Sequence, residues 1–158
     1  MNHGAPLCIV QDIVNYQARK RKRILSKAAA AEEQAIAIYQ AEVFWRPEQI
    51  FKEILLEEIQ HREHLPVSLF PLFSWLQRGS GWILGSIFCL LPRALCYQAH
   101  VWAEREAAKI YLDCYNALKS QDFSEKEEIL ASLQEAEAQE RAHAQRFAEH
   151  RQNTSFLR

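Results

Sequence analysis

The feature that most constrains this chain is a pattern that occurs twice, 72 residues apart. Residues 31–39 read AEEQAIAIY and residues 103–111 read AEREAAKIY, so Ala, Glu, Ile and Tyr recur at matching positions. A second motif recurs as well, because residues 58–61 read EIQH and residues 140–143 read ERAH. Two motifs that repeat in the same order indicate a duplicated helical hairpin.

Apolar residues at three- and four-residue steps predict four helices around these motifs. The first two should cover about 19–45 and 47–65, because prolines follow each of them closely. The third and fourth should cover about 93–120 and 124–151. Few glycines and prolines interrupt these stretches, which favours an all-α protein.

A long apolar segment, about residues 65–92, lies between the second and third helices. Its only charged side chain is Arg78, and its prolines and glycines should divide it into pieces shorter than the roughly 20 residues that span a bilayer. Two short links and one long crossover are typical of a ferritin-like four-helix bundle. We expect a single domain over residues 1–158, with the bundle at about 19–151.

The repeated glutamates fall on helix faces that should be buried. Glu32 shares its face with Ala28 and Tyr39, and Glu104 shares its face with Val101. In the other two helices, a histidine follows each repeated glutamate by one turn. The side chains expected to converge inside the bundle are Glu32, Glu58, His61, Glu104, Glu140 and His143.

Four buried carboxylates need compensation, because burying even one costs several kcal/mol. Two divalent cations would supply it. A Glu on each of two helices and a Glu-x-x-His on each of the other two form the ligand set of di-iron and di-manganese carboxylate bundles. Oxygen-rich coordination with one imidazole per ion suits these metals better than zinc. We therefore expect two iron ions per chain, with manganese as the alternative.

Other side chains near these positions allow more than one interpretation. His64 could replace His61 as a ligand, although the repeated spacing favours His61. Tyr39 and Tyr111 could order the ligands or relay electrons, and aromatic residues at this spacing are also typical of a core. His100 is equally compatible with a place beside the metal ligands and with a place in the core.

Charge and cysteine content limit the function classes. The net charge of −1 gives no general field for nucleic acid, and the basic run at 19–23 suits either a solvated helix or contact with anionic lipid. Cys8, Cys89, Cys96 and Cys114 lack paired spacing, which favours a reducing compartment. No secretory signal is recognisable, so we expect a cytoplasmic protein.

These residues resemble the demethoxyubiquinone hydroxylase family, di-iron monooxygenases of ubiquinone biosynthesis that are related to ferritins. The resemblance covers about residues 24–150. It includes the Tyr seven residues after Glu104 and the interval from Glu104 to the motif at 140–143. It implies that Glu32 and Glu104 are terminal ligands, that Glu58 and Glu140 are bridging ligands, and that His61 and His143 each bind one ion.

The resemblance also implies a substrate and a location. The enzyme would hydroxylate a lipophilic quinone with dioxygen and electrons from an external donor. Residues 65–92 would dip into one leaflet at the inner face of a membrane, or would instead cover the bundle or form a dimer contact. Members of this family can work with a lipid-binding partner protein, and a homo-oligomer is also compatible.

Two departures from the family leave the substrate open. Residues 28–35 read AAAAEEQA where the family usually has DHAGEYGA, and Ile110 stands where the family has histidine. Two other functions therefore stay compatible with the sequence. One is a ferroxidase or iron-handling ferritin-like protein, and the other is a non-enzymatic helical module whose apolar segment binds a partner.

Overall fold

A computed structural model describes residues 5–155 and the side chains of residues 15–153, so the side chain of Cys8 lies outside the described part. All regular structure in the described residues is helical, as the sequence predicts. The five helices are α1 (Ala5–Trp45), α2 (Gln49–His64), α3 (Pro71–Leu90), α4 (Arg93–Leu118) and α5 (Lys126–Ser155).

Helix α1 begins well before the predicted start near residue 19. No proline or glycine occurs between residues 7 and 45, so nothing in the backbone chemistry interrupts the helix. It ends at Trp45 because Pro47 disfavours a helical conformation at the residue before it. The predicted boundaries of α2 and α4 differ from the observed ones by no more than the usual uncertainty of helix ends.

The prediction that residues 65–92 form only short pieces is wrong, because α3 is one continuous helix of 20 residues. Pro71 occupies its first turn, where no intrahelical N–H bond is lost. Gly81 and Gly85 do not break the helix but face α1. A Cβ atom on either would lie 2.4 Å from a carbonyl oxygen of α1, that of Gln34 or Ile38 respectively.

These two contacts also give the direction of α3. The contact moves from Gln34 to Ile38 on α1 as it moves from Gly81 to Gly85 on α3, so the two helices run in the same direction. Although α3 is apolar, no helix in the described part of the chain has both the length and the apolarity needed to cross a bilayer.

Helix packing places four helices around a common interior. The most extensive contacts join α4 to α5 and α1 to α3, and α1 also packs against α2 and α4. Helices α2 and α5 touch only slightly, and α3 contacts neither of them.

The interior contains two apolar clusters. One includes Leu25, Tyr111, Leu118 and Leu133, and the other includes Tyr39, Phe51, Ile54 and Phe147. Tyr111 of the first cluster and Tyr39 of the second each contact a residue predicted as a ligand, so the predicted ligands lie between the two clusters.

Replacing Gly85 by Ala should destabilise the protein. The new Cβ atom would meet the backbone oxygen of Ile38 at 2.4 Å, so α3 would have to move away from α1. Overpacking of this kind costs about 1–3 kcal/mol. Urea denaturation of wild type and variant measures the difference.

The matched control is Gly79→Ala, because a Cβ atom at Gly79 has nothing within 4 Å. Alanine is the better helix former by roughly 1 kcal/mol, so this variant should be as stable as wild type or more stable. Equal effects of the two substitutions would contradict the close contact between α3 and α1.

Candidate metal centre

The structure brings all six predicted side chains together inside the bundle. Helix α1 contributes one glutamate, α4 contributes another, and α2 and α5 each contribute a glutamate and a histidine. None is more than 7% exposed, and they are Glu32, Glu58, His61, Glu104, Glu140 and His143.

The first of two groups surrounds His61. Its Nδ1 atom lies 3.3 Å from Glu140 Oε1, 3.8 Å from Glu58 Oε2 and 4.0 Å from Glu32 Oε1. One possible ligand atom from each of these four residues lies within 4.8 Å of the others. This spacing could hold a metal ion.

The second group surrounds His143 in the same way. Its Nδ1 atom lies 3.2 Å from Glu58 Oε1, 3.5 Å from Glu104 Oε2 and 3.8 Å from Glu140 Oε2. Glu58 and Glu140 therefore belong to both groups, each with one oxygen towards each histidine. Two neighbouring cations could share these two carboxylates.

Both histidines direct Nδ1 towards the carboxylates and Nε2 away from them. The Nε2 atom of His143 donates to Glu57 Oε2 at 2.5 Å, and that of His61 contacts Gln139 Oε1. Because both partners are acceptors, each Nε2 carries hydrogen and each Nδ1 can offer its lone pair to a cation.

Sequence reasoning missed the roles of Glu57 and Gln139, although the repeat contains a signal for them. Each residue directly precedes the glutamate of a Glu-x-x-His motif. His143 of the pair α4–α5 contacts Glu57 on α2, and His61 of the pair α1–α2 contacts Gln139 on α5. Arg146 holds Glu57 at 3.1 Å, and its charge together with His143 lowers the pKa of Glu57 although burial opposes this.

Two buried tyrosines each donate a hydrogen bond to a candidate ligand across the bundle. Tyr39 on α1 donates to Glu104 on α4, and Tyr111 on α4 donates to Glu32 on α1. Burial and the neighbouring carboxylates raise the pKa of both phenols, so both remain protonated donors. The tyrosines therefore orient the two unshared carboxylates, while an electron relay through them stays a prediction.

The donor set fits cations, because several of its atoms have no partner. Buried polar atoms in proteins nearly always have a hydrogen-bond partner. The atoms without one in this cluster are Glu32 Oε2, Glu58 Oε1, His61 Nδ1, Glu140 Oε1 and His143 Nδ1. Metal coordination would satisfy atoms of this kind.

Without metal, protons would balance the cluster instead. Burial and repulsion by Glu58 and Glu140 raise the pKa of Glu32 well above its usual range. Burial would lower the pKa of His61, but the carboxylates of Glu140 and Glu58 outweigh it and raise the value to about 10. Contacts with both histidines lower the pKa of Glu140 to about 2 despite its burial. Metal binding must therefore displace protons from the histidines.

His64 does not belong to the cluster. Its side chain is exposed, and Nδ1 lies 2.7 Å from the backbone oxygen of Gln60. His64 instead lines a cavity of about 570 Å³ between α2 and α5, which reaches His61 and Tyr111. The lining of this cavity contains no lysine or arginine but three glutamates, which are Glu125, Glu128 and Glu135.

A third buried polar group lies beyond Tyr39. It consists of Glu42, Cys96 and His100, all at most 1% exposed. Sequence reasoning left the place of His100 open and missed Glu42 entirely. His100 contacts Tyr39 on one side and Glu42 on the other.

Comparison with known proteins gave no match to a family model, a curated protein or a solved structure. The resemblance to demethoxyubiquinone hydroxylases therefore stays a prediction, and the function has to be argued from the site itself.

The metal-free protein should lose stability as the pH rises from about 6.5 to about 10. The pKa of His61 is raised from 6.5 to about 10 by folding, so its stabilising contribution is complete below the lower value and lost through the higher one. Bound metal replaces the proton and should remove this loss. Urea denaturation across this pH range, with metal and with a chelator, measures both effects.

His61→Gln should flatten the pH dependence of the metal-free protein, and His64→Gln is the matched control that should not. The same pH dependence in the His61 variant and in wild type would contradict the role assigned to this histidine.

Proposed function

We propose that this chain is a ferritin-like di-iron enzyme that uses dioxygen to hydroxylate a lipophilic quinone. The observation that carries the proposal is the pair of buried four-residue groups that share Glu58 and Glu140. Four carboxylates balance the charge of two divalent ions, and each ion would gain one imidazole. This donor set suits iron, with manganese as the alternative.

The residues of the chain would have distinct tasks at such a centre. Glu58 and Glu140 would hold both ions, and Glu32 and Glu104 would each hold one, oriented by Tyr111 and Tyr39. The two apolar clusters would exclude water from it. Two bound iron ions supply the activation of dioxygen, which protein side chains cannot provide alone.

The order of the helices supports the ferritin-like assignment. The ligand-bearing helices form the pairs α1–α2 and α4–α5, and each pair is joined by a short link. The longer connection between the pairs contains α3. This arrangement is the one expected of a bundle with a single crossover.

The outer face of α3 supports a substrate taken from a membrane. Its exposed side chains include Trp75 at 68%, Ile83 at 64% and Leu90 at 84%. Monomeric soluble proteins rarely expose contiguous apolar surface of this kind. The exposed basic run at 19–23 precedes the part of α1 on which α3 packs in parallel, where it could bind anionic head groups.

A ferroxidase is the second candidate function, and the cavity between α2 and α5 favours it. Its glutamates lie on α5 or, for Glu125, directly before it, and they give the cavity an acidic lining that reaches His61. An acidic cleft attracts cations. The cavity could admit ferrous ions whether iron is the cofactor or the substrate.

Purified wild-type protein should bind about two iron ions per chain, and Glu140→Ala should lose both, because this carboxylate belongs to both groups. Metal analysis with Mössbauer spectroscopy measures the stoichiometry. The matched control is Glu106→Ala on α4, since Glu106 is partly exposed, belongs to neither group and pairs with Lys109. This variant should retain both ions.

Iron-loaded protein, dioxygen, a chemical reductant and a short-chain methoxyquinone then separate the candidates. A hydroxylated quinone supports the proposal, whereas repeated oxidation of added ferrous iron without quinone turnover favours the ferroxidase. A wild-type protein that folds but binds no metal would favour a non-enzymatic interaction module.

The protein should bind lipid vesicles through α3. Replacing Phe70, Trp75 and Ile83 by Ser should weaken binding by roughly 100-fold or more, because each buried apolar side chain contributes about 1.5–3 kcal/mol. Sedimentation with phosphatidylcholine vesicles, with and without phosphatidylglycerol, measures the affinity. Trp102→Ser is the control, since Trp102 is 65% exposed on α4. Equal binding by all these proteins would contradict docking through α3.

A further inference from the structure

A continuous line of hydrogen bonds joins Glu104 to a buried glutamate far from the candidate ligands. Tyr39 donates to Glu104, and His100 Nδ1 lies 3.2 Å from the Tyr39 hydroxyl. On the other side of the ring, His100 Nε2 lies 2.6 Å from Glu42 Oε1. Glu42 and His100 are no more than 1% exposed, and Phe147 stacks on the imidazole with ring centres 4.5 Å apart.

The chemistry of these groups fixes where the protons lie. Because the Tyr39 hydroxyl donates to Glu104, its oxygen accepts from Nδ1–H of His100. The remaining contact, between Nε2 and Glu42, then contains one proton held by either atom. When Glu42 holds this proton and each proton moves one step towards Glu104, Glu42 loses a proton, Glu104 gains one and no other group changes. When Nε2 holds it, the same steps from Nδ1 to Glu104 leave His100 neutral and Glu42 unchanged.

The matching positions around Tyr111 lack this line. The same offset of 72 residues that relates Tyr39 to Tyr111 relates His100 to Ala28 and Glu42 to Cys114. Ala28 and Cys114 are buried in an apolar cluster, and the Cys114 thiol contacts the backbone oxygen of Ile24. Tyr111 therefore orients Glu32 without counterparts of His100 and Glu42, and on this side Tyr111 instead lines the cavity that reaches His61.

This internal comparison separates folding from function. Around Tyr111, Ala28 and Cys114 occupy the two matching positions in an apolar cluster. The fold therefore does not require a buried Glu and His at such positions. A buried ionisable pair often contributes less to stability than apolar residues of similar volume. Its presence beside one tyrosine alone therefore points to a chemical role at one side of the centre.

The line also approaches the end of the bundle. Glu42 lies one turn before Arg46, whose side chain is 21% exposed. Glu42 Oε2 and Arg46 Nη1 are both buried and have no hydrogen-bond partner among the described residues. One is an acceptor and the other a donor, so a water molecule could bridge them, although the guanidinium itself does not release a proton.

We propose that Glu42 and His100 form a proton path that serves only the metal position at Glu104 and His143. The inference rests on the proposed di-iron function. Both residues act through Tyr39 and are therefore positioning residues rather than catalytic ones. The two metal positions, alike in their ligands, differ in their source of protons. The position at Glu32 and His61 lies beside the cavity, whereas the position at Glu104 and His143 would receive protons through this line.

The test replaces Glu42 and His100 by the residues found at the matching positions beside Tyr111. The double variant Glu42→Cys/His100→Ala reproduces the pair Ala28 and Cys114 beside Tyr111 and removes both members of the buried pair together, so it should fold with stability similar to wild type. It should bind two irons but oxidise them with dioxygen about 100-fold more slowly, the scale of general acid catalysis. Stopped-flow absorption measures the rate in H2O and in D2O, and a slowing in D2O should be present in wild type.

Two further variants keep the proposal testable if the double variant does not fold. Glu42→Gln keeps the contact with His100 but cannot release a proton, and it should be as slow as the double variant. Cys114→Ala, at the matching position of the other half, should oxidise iron at the wild-type rate. Proton NMR of metal-free wild type should show a strongly downfield imidazole N–H that is lost in the double variant.

The outcomes distinguish this inference from the proposed function. A wild-type protein that binds no iron overturns the di-iron function, and the proton path with it. Two irons bound and oxidised at the wild-type rate in both the double variant and Glu42→Gln would overturn the proton path alone. Slow oxidation in these two variants, with Cys114→Ala unchanged, supports it.

Discussion

The mutual repulsion of four buried carboxylates is the constraint on which the rest of this structure depends. Glu32, Glu58, Glu104 and Glu140 are all at most 4% exposed, and their charges would oppose folding without compensation. Histidine protons balance part of this charge in the metal-free protein, and their loss at high pH leaves more of the carboxylate charge uncompensated. Cations could balance the same charge while satisfying the unpartnered ligand atoms, so metal binding in this interior would be coupled to folding.

The hydrogen bonds that orient the tyrosine-bound glutamates and the histidines run between the hairpins α1–α2 and α4–α5 rather than within either one. Tyr39 of the first orients Glu104 of the second, and Tyr111 of the second orients Glu32 of the first. The two histidines follow the same rule, because each donates from Nε2 to a residue of the other hairpin. A single hairpin would leave its unshared glutamate without the tyrosine that donates to it, and its histidine without the acceptor for Nε2–H. Each half of the duplicated chain thus completes the polar contacts of the other half.

The sequence predicted the six candidate ligands because their signal is local and repeated: buried phase, Glu-x-x-His spacing and matching motifs. It failed where the decisive contact comes from another helix. Gly81 and Gly85 suggest breaks when read along the chain, and only the approach of α1 shows that they serve packing. Glu42 was missed because its partner His100 lies on α4, 58 residues away. The repeat alone favours His61 over His64, and His61 is the one that lies among the glutamates, since local spacing decides which of them faces this side of α2.

The two surfaces associated with the centre differ in chemistry and lie on different helices. The acidic cavity opens between α2 and α5, neither of which touches α3, whereas the exposed apolar side chains cover α3. Water and cations would therefore approach the His61 side, and an apolar molecule would approach from the α1–α3 side. Glycine contacts close the space between α1 and α3 at Gln34 and Ile38. A quinone arriving from α3 would have to pass beyond these contacts, so the position of the small residues limits where an apolar substrate could reach Glu32 or Glu104.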